Sequence, residues 1–319
     1  MTLIKLAANV TAGALLLGLA TFGVAALSGI GHRWTDILAQ FTSPVLLAAV
    51  GVTVVCLVLR LWPASIIGGL TCLVLAVAVW PQWTPTKGVP VPDQPIVRVY
   101  SANLWVFNTD VAAMRRSIIA ADADILVLVE VGEAPAARID ELLASYPHRT
   151  AIGRTRGPGD HARSIIASRY PILQRLPDRN DGLSAVGAAI QTPIGPINVF
   201  GVHLTRPWPY QYQWGQISQV MALTARRKAA PNHPVIAAGD FNSVSTARIG
   251  RQIQADMGLI PAPGWPATWP SQAPAFAGIT IDQVYRSPDL ALITRRLGQP
   301  TGSDHRPVVT EFTRAQSPR

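Results

Sequence analysis

The sequence has 319 residues, of which 49% are hydrophobic and 14% are charged, and its formal net charge is +9. Soluble domains contain about 25% charged residues, so this composition excludes a purely soluble chain, and its apolar content excludes intrinsic disorder. The shortage of charge is concentrated near the N-terminus, because the only charged residues before position 93 are Lys5, Arg33, Asp36, Arg60 and Lys87. We therefore expect a membrane anchor followed by a globular domain.

Three charge-free windows follow one another in the N-terminal segment, at residues 6–31, 37–59 and 61–86. Each is longer than the roughly 20 residues that a helix needs to cross a bilayer. Tryptophans flank the windows, as expected at the membrane–water interface, namely Trp34, Trp62, Trp80 and Trp83. We predict that residues 1–86 form three transmembrane helices in the lipid bilayer. Residues 1–30 also resemble a signal peptide, and cleavage there would leave two spans.

The basic residues beside the windows indicate an orientation. Lys5 and the amino terminus precede the first window, and Arg60 separates the second from the third. The opposite side receives Arg33 with Asp36, and then Lys87. Counting Lys and Arg favours a cytoplasmic amino terminus. Three crossings would then place the C-terminal domain outside the cytoplasm, in a multi-pass protein of the cell membrane.

A proline-rich stretch follows the last window and contains Pro81, Pro85, Pro90, Pro92 and Pro95. Because proline favours extended backbone, we predict a stiff linker at residues 87–95 and a globular domain at 96–319. This domain has no cysteine, which excludes a disulfide framework and a cysteine-ligated metal there. Most of the basic excess lies in this domain. It suits an anionic substrate such as a phosphate, a nucleic acid or a lipid headgroup, or serves solubility alone.

Apolar runs of strand length alternate with longer amphipathic stretches in this domain. The strand candidates are residues 96–103, 125–130, 163–169, 185–191, 197–204, 235–242, 281–285 and 307–312. The helix candidates are residues 109–121, 134–145, 210–227 and 246–256. Asp110 is a candidate cap of the first helix, and Ser243 or Ser245 of the last. The alternation, with a hairpin around residues 193–196, predicts a layered α+β domain.

Polar side chains directly follow or begin several of these strands. They are Asn103, Glu130, His203, Asp240, Asn242, Asp282 and the adjacent pair Asp304 and His305. Carboxylates are the ligands that Mg²⁺ prefers, amide and imidazole groups can stabilise developing negative charge, and an Asp–His pair can orient a proton carrier. Each residue alone also has a structural explanation, such as a turn former or a core histidine. Together they fit a metal-assisted phosphoryl-transfer site.

The motifs around these residues resemble those of the endonuclease/exonuclease/phosphatase superfamily, which contains DNase I-like nucleases, sphingomyelinases and inositol-phosphate phosphatases. The resemblance covers roughly residues 96–313, and seven motifs occur in the family's order. They are SANLW (101–105), LVE (128–130), SRYPI (168–172), VHLT (202–205), GDFNS (239–243), IDQV (281–284) and SDHRP (303–307). The resemblance implies an α+β fold, a four-layer α/β/β/α sandwich of the DNase I-like type, here preceded by three transmembrane helices.

The resemblance also implies a metal site. Glu130 matches the main ligand of Mg²⁺, with Mn²⁺ as the alternative ion, Asn103 lies beside it, and Asp304 lies next to the metal. Abasic-site nucleases of the family carry an acidic residue shortly after the first asparagine, where this chain has Trp105. A second metal is therefore not implied. Arg163 is either an added substrate-binding contact to phosphate or a surface residue.

The remaining motif residues match the catalytic groups of the family. Asp240 matches the aspartate that activates or positions the attacking water, and Asn242 matches a ligand of the transferred phosphoryl group. His305 matches the histidine that contacts the scissile phosphate, with Asp282 as its orienting carboxylate. His203 matches the second histidine on the phosphate side.

The anchor and this domain together indicate a membrane-anchored, Mg²⁺-dependent phosphoesterase that hydrolyses a phosphate ester or pyrophosphate, with an envelope lipid as the favoured substrate. One alternative is an extracytoplasmic endonuclease or exonuclease acting on DNA or RNA, although no run of Lys and Arg marks a nucleic-acid stripe. A second alternative is an inactive binding domain, against which the complete residue set argues. The partners expected are the bilayer and a phosphorylated substrate, and no protein partner is inferred.

Overall fold

A computed structural model describes residues 2–152, 163–176, 182–207 and 213–316. The N-terminal part consists of helices α1 (Leu3–Leu27), α2 (Arg33–Gln40), α3 (Thr42–Val58) and α4 (Trp62–Trp83). Helices α1 and α4 are each long and apolar enough to cross a membrane, and α2 with α3 adds a third crossing only if the bent pair forms one span. The N-terminal part therefore has two or three potential spans.

The window 37–59, which we predicted as one span, is not a single straight helix. Helices α2 and α3 are bent by 62° at the break around Phe41. Proline lacks an N–H and is tolerated in the first turn of a helix but not in its interior, so a helix that restarts at Thr42 keeps Pro44 in its first turn. Helix α2 buries Asp36, Ala39 and Gln40, which contact the globular domain.

The globular part contains twelve strands and five helices within the described residues. The strands are β1 (Val97–Asn103), β2 (Ile125–Val129), β3 (His148–Arg149), β4 (Ile165–Ser168), β5 (Ile172–Leu176), β6 (Ser184–Thr192), β7 (Gly195–His203), β8 (Val235–Asp240), β9 (Ile260–Pro261), β10 (Asp282–Arg286), β11 (Leu290–Leu297) and β12 (Val308–Arg314). The helices are α5 (Val111–Ala121), α6 (Glu133–Ala137), α7 (Ile139–Leu142), α8 (Gln213–Ala229) and α9 (Arg248–Met257).

The strands form two six-stranded sheets, ordered β11-β12-β1-β2-β4-β3 and β5-β6-β7-β8-β10-β9. Each sheet has one parallel pair near its centre, β1 with β2 in the first and β7 with β8 in the second. The carboxyl ends of parallel neighbours lie at the same edge of a sheet. In register, Asn103 is therefore opposite Val129, and His203 is opposite Asp240.

Alternation along the strands divides the core into layers. In β1, Val97 and Val99 face the second sheet, whereas Tyr100 and Ala102 lie in the cluster that includes residues of α5 and α7. Helices α8 and α9 cover the outer face of the second sheet through a separate cluster. This arrangement confirms the four-layer α/β/β/α sandwich.

All eight strand candidates are present with small shifts at their ends, and the hairpin joins β6 to β7 through Thr192 and Gly195. Strands β3, β5, β9 and β11 were not predicted. β3 and β9 have two residues each, the central residues of β5 are exposed, and β11 alternates between exposed and half-buried residues only in its second half. The helix expected over 134–145 is broken into α6 and α7 at Arg138. Residues 210–212 of the third helix candidate lie outside the described residues.

The two predicted helix caps have different outcomes. Asp110 accepts a hydrogen bond from the Ala113 N–H at 2.8 Å and caps α5, as predicted. The prediction for α9 was wrong, since the capping position is Ala247 and its side chain makes no capping bond. The Arg248 N–H instead donates to Asp36 Oδ1 of α2 at 2.8 Å. A residue of the N-terminal helices therefore replaces the local cap.

The proline-rich segment 87–95 lies along the globular domain. The Leu292 N–H donates to the carbonyl of Lys87 at 2.8 Å, and the Val91 N–H donates to the carbonyl of Arg314 at 2.9 Å. Pro90 also forms an isolated antiparallel bridge with Ala315. These bonds attach the end of α4 to the β11–β12 side of the first sheet.

Candidate active site

Polar side chains from both sheets meet at one edge of the sandwich. Asn103 ends β1, His203 ends β7 and Asp240 ends β8, while Glu130 directly follows β2. Strand β10 runs antiparallel to β8 and begins at Asp282, which lies opposite Asp240 in the register. The parallel pairs of the two sheets therefore deliver their terminal residues to one place, as expected from the topology.

Asn103 connects two carboxylates in this cluster. Its Nδ2 donates to Glu130 Oε1 at 2.8 Å and to Asp240 Oδ2 at 3.0 Å. Its Oδ1 accepts a hydrogen bond from the Trp105 N–H at 2.9 Å. The side chain is buried, so the amide holds both carboxylates in a fixed relation.

Glu130 is a buried carboxylate that stays ionised. Burial raises its pKa, but hydrogen bonds and charge from His203, with a hydrogen bond from Asn103, outweigh that effect and lower the pKa to about 2. His203 Nε2 lies 3.2 Å from Glu130 Oε1, and the Val106 N–H donates to Oε2 at 3.2 Å. The backbone of Glu130 has a φ of 51°, in the left-handed region that few non-glycine residues adopt. Such strain is common at functional sites.

Asp240 is the most enclosed carboxylate of the cluster, with 1% of its surface exposed. Burial raises its pKa to about 6, the charge of Asp282 adds to that effect, and the charges of His305 and His203 oppose it. Its Oδ1 accepts a hydrogen bond from the Asn242 N–H at 2.8 Å. A carboxyl group with this pKa can accept a proton near neutral pH.

The position before Asp240 requires glycine. Gly239 has a φ of 136°, and a Cβ there would overlap the carbonyl oxygen of Val202 on the neighbouring strand. Only a residue without a side chain permits this close approach of the two backbones. The glycine of the GDFNS motif therefore places the Asp240 carboxylate at the end of β8.

His305 and Asp282 form a buried ion pair. His305 Nδ1 lies 3.0 Å from Oδ1 and 2.9 Å from Oδ2 of Asp282. Burial lowers the pKa of His305, but the charges of Asp282 and Asp240 outweigh it and raise the pKa to about 10. The imidazolium therefore persists at neutral pH. Its Nε2 lies 3.8 Å from Asp240 Oδ2 and 3.9 Å from Asp304 Oδ1, so this donor points toward the carboxylate cluster.

Asn242 and Asp304 lie at the rim of the cluster. Asn242 Nδ2 donates to the carbonyl of Leu204 at 2.9 Å, and Asp304 Oδ2 accepts from Trp269 Nε1 at 3.3 Å. Asp304 Oδ1 is buried and has no hydrogen-bond partner among the described residues. Its position leaves a buried oxygen available to a ligand.

Arg163 is placed near the site by its backbone. Its carbonyl accepts a hydrogen bond from the N–H of Val131, the residue after Glu130, at 2.8 Å. Its side chain is half-buried. A phosphate contact by this guanidinium stays a prediction.

The donor chemistry of the cluster fits a divalent metal ion. Ligand atoms of Glu130, His203 and Asp240 lie within 4.8 Å of one another, as do those of Asp240, Asp282 and His305. The imidazolium of His305 has no lone pair for a metal, so the second group offers only its carboxylate oxygens, the ligands that hard divalent cations prefer. Asp304 Oδ1, which accepts no hydrogen bond from the described residues, adds a further oxygen close to that group. The carboxylates of both groups could therefore hold a divalent cation.

A cavity of about 270 Å³ opens beside this cluster. His305, Asn242, Asp304 and Arg206 line one side of it, and residues of α2 and the Phe41 junction line another. Sequence reasoning did not identify the contribution of Arg206 or of α2. One signal was present in the sequence, because Asp36 is the only acidic residue before position 93 and lies beside an apolar window.

Gln216 of α8 is a second contributor that the sequence did not reveal. Its Nε2 donates to the carbonyls of Phe241 at 3.3 Å and Asn242 at 3.2 Å. These bonds fix the turn that follows Asp240. A glutamine inside an amphipathic helix has no local signal that would distinguish it from a surface residue.

The chain is similar to known proteins over most of its globular part. The model of the Endonuclease/Exonuclease/phosphatase family matches residues 100–305. No curated protein matches the sequence. An endonuclease/exonuclease/phosphatase from Beutenbergia cavernae DSM 12333 has 20% identity and a TM-score of 0.56, covering 70% of this chain and 73% of its own.

Two further solved structures share the fold. A mannosyl-6-phosphatase from Bacteroides thetaiotaomicron VPI-5482 has 17% identity and a TM-score of 0.55, covering 68% of this chain and 99% of its own. Sphingomyelinase C from Streptomyces griseocarneus has 17% identity and a TM-score of 0.51, covering 70% of this chain and 100% of its own. The family match and the four-layer fold show that this chain belongs to the Endonuclease/Exonuclease/phosphatase family and is a hydrolase of phosphoester bonds.

Proposed function

We propose that the protein is a membrane-anchored, Mg²⁺-dependent phosphoesterase that hydrolyses a phosphate ester or pyrophosphate of an envelope lipid. The observation that carries this proposal is the shared cavity. His305 and Asn242 line one side of it, and α2 with the Phe41 junction lines another. A site enclosed by the strand ends and by the N-terminal helices suits a substrate that remains in the membrane while its phosphate reacts.

Glu130, Asn103 and Asp304 are the proposed ligands of the metal. The low pKa of Glu130, about 2, keeps this carboxylate charged. When bound, Mg²⁺ supplies charge that stabilises a phosphate oxygen in the transition state, and Mn²⁺ is the alternative ion.

Asp240 is the proposed general base. Water attacks the phosphorus, its proton passes to the Asp240 carboxylate, and the bond from phosphorus to the leaving oxygen breaks. The pKa of Asp240 is raised to about 6, close to neutral pH, where a general base is most effective. Asn103 and the Asn242 N–H hold this carboxylate by hydrogen bonds at 3.0 Å and 2.8 Å.

His305 is the proposed electrostatic partner of the phosphate. Its Nδ1 is held by Asp282, so its Nε2–H is free to donate to a phosphate oxygen within the cavity. Preorganised donors of this kind stabilise charge that develops in the transition state. His203 and Asn242 flank the phosphate position, and His203 also orients Glu130.

The predicted orientation completes the proposal. The basic groups beside the spans, counted with the amino group, favour a cytoplasmic amino terminus, and three crossings would then put the catalytic domain outside the cytoplasm. The envelope lipid would then be reached from the outer face of the cell membrane.

The test uses detergent-purified, full-length protein. Phosphate or headgroup release from lipid vesicles and nicking of plasmid DNA are measured side by side, with Mg²⁺ and after chelation by EDTA. Wild type and Asp240→Asn are compared with Asp289→Asn, which makes the same chemical change at an exposed position. We expect release from lipid that requires Mg²⁺ and is lost in Asp240→Asn only. DNA nicking without lipid hydrolysis would contradict the proposal and favour a nuclease.

A further inference from the structure

The cavity beside His305 has an apolar side that the phosphate chemistry does not use. This side is formed by Ile37 and Phe41 of the N-terminal part and by Trp269, Ile279 and Ile281 of the globular part. The same cavity, of about 270 Å³, is lined by the polar groups described above, and Trp269 Nε1 donates to Asp304 Oδ2 where the two sides meet. A phosphate needs only the polar side, so the apolar side indicates a substrate with a hydrophobic portion next to its phosphate.

Buried hydrogen bonds fix the apolar side in place. Gln40 Oε1 accepts from the Val244 N–H at 2.7 Å, and its Nε2 donates to Ser243 Oγ at 3.3 Å. One turn earlier, Asp36 Oδ1 accepts from the Arg248 N–H at the start of α9. Ser243 directly follows Asn242 in the chain. The hydrogen bond from Gln40 to Ser243 therefore fixes α2 at a set distance from Asn242 and the phosphate side.

The apolar side continues toward the potential membrane spans. Ile37 and Phe41 are four residues apart, and such residues share one face of a helix. Phe41 keeps 37% of its surface exposed and immediately precedes α3, whose residues are almost all apolar. The apolar side therefore leads from the phosphate position to the apolar surface of α3, which suits lipid.

The ends of the potential spans contact the globular domain near this cavity. The Ala26 carbonyl in α1 accepts from Arg251 Nη1 at 2.9 Å, and the Gln82 carbonyl in α4 accepts from the Gly264 N–H at 2.7 Å. Both acceptors lie within two residues of the end of their helix. The cavity thus lies at the level where these helices would leave the bilayer.

We propose that Ile37, Phe41, Trp269, Ile279 and Ile281 form a subsite for the hydrocarbon chain of a membrane lipid phosphate. The phosphate lies at His305 and Asn242, and the adjoining methylenes lie on Ile37 and Phe41. The placement of the phosphate in this inference rests on the proposed function. The occupant is a lipid because the surface is apolar, adjoins the anion site at His305 and Asn242, and includes Phe41, which directly precedes the apolar helix α3.

Binding of n-alkylphosphonates tests the subsite without requiring turnover. Methylphosphonate and n-octylphosphonate are titrated calorimetrically into full-length protein in detergent with Mg²⁺. Complete burial of one methylene is worth a factor of about four in affinity. Because the cavity is partly open, we expect n-octylphosphonate to bind at least about tenfold more tightly than methylphosphonate. Partition of the octyl chain into detergent affects all variants equally.

The ratio of the two affinities is compared among variants. We expect Ile37→Thr and Phe41→Thr to reduce the ratio of octyl- to methylphosphonate affinity severalfold. The conservative variant Ile37→Leu should keep the wild-type ratio. The matched control is Val58→Thr, which removes an apolar side chain of α3 that is 75% exposed and does not line the cavity. This control should keep the wild-type ratio.

Each outcome has a distinct meaning. An unchanged ratio in Ile37→Thr and Phe41→Thr, or equal affinities for the two phosphonates in wild type, would overturn the subsite. A thymidine dinucleotide that loses affinity in these variants while n-octylphosphonate does not would assign the surface to nucleobases and also overturn it. An intact ratio in a protein that hydrolyses neither lipid phosphates nor methyl p-nitrophenyl phosphate would refute the proposed function and leave the subsite standing.

Discussion

The two sides of the cavity differ in origin and in chemistry. The polar side comes from strand ends of both sheets, where Asn103 holds Glu130 and Asp240 by hydrogen bonds and neighbouring charges shift the pKa of Asp240. The apolar side comes partly from α2 and the Phe41 junction, more than 200 residues away in sequence from the loop it contacts. We therefore assign catalysis to the residues at the strand ends and substrate recognition to the N-terminal helices.

The largest effect is expected on the polar side at Asp240. Asp240→Asn removes the proposed proton acceptor with little change in shape, and we expect kcat to fall by about 10²–10⁴-fold. The loss should be similar for a lipid phosphate and for methyl p-nitrophenyl phosphate, because the reaction is common to both. Steady-state kinetics with the two substrates checks this. A loss confined to the lipid would contradict the division between the two sides.

The next effect is expected at the His305–Asp282 pair. His305→Gln removes the positive donor, and we expect kcat to fall by about 10²–10³-fold. Asp282→Asn keeps the imidazole but removes its charged partner, so its loss should be smaller. The comparison of kcat for the two variants checks this order. Equal losses would show that the ion pair acts as one unit.

The pH dependence of the reaction follows from the titration of Asp240. The pKa of Asp240 is raised to about 6, so protonation disables the base and kcat should fall about tenfold per pH unit below that value. Glu130, with a pKa of about 2, and His305, with a pKa of about 10, keep their charges across this range.

The variant His305→Gln tests whether Asp240 is the group that titrates. The charge of His305 lowers the pKa of Asp240, so His305→Gln should move the acidic limb of its residual activity to higher pH. A merely misfolded variant would lose activity without moving the limb. An acidic limb at the same pH in both proteins would show that Asp240 is not the titrating base.

The smallest effect is expected where the two sides are joined. Gln40→Met removes the acceptor of the buried Val244 N–H, and an unsatisfied buried donor costs about 1–3 kcal/mol. We expect a lower Tm in detergent and a loss of activity of severalfold, since Val244 follows Asn242 by two residues. Gln174→Met changes an exposed glutamine of β5 and should leave both quantities unaltered.

The polar side could be predicted from the sequence because its residues follow apolar strands directly. Asn103, His203 and Asp240 each end a strand, and parallel pairing brings such ends together. The structure brings the predicted catalytic residues into one cluster, with Asn242 and Asp304 at its rim. The SRYPI motif lies at the other end of the first sheet, where Ser168 pairs with Ile125 at the start of β2. Their catalytic roles and that of Arg163 remain proposals.

The apolar side could not be predicted, because it depends on contacts between distant segments. A hydropathy window merges α2 with the start of α3, since Pro44 permits a new first turn without adding charge. Asp36 was visible as an isolated acid, but nothing in the local pattern shows that it receives the N–H of Arg248. Gln216 and Gln40 likewise act through backbone groups far along the chain.

Diffraction from crystals of the full-length protein with Mn²⁺ and n-octylphosphonate tests the joint site most directly, because Mn²⁺ is located by its anomalous scattering. We expect the ion at Glu130 and Asp304, the phosphonate oxygens at His305 and Asn242, and the octyl chain along Ile37 and Phe41. An ion in that position with the chain directed away from α2 would contradict the division between a reaction side and a recognition side.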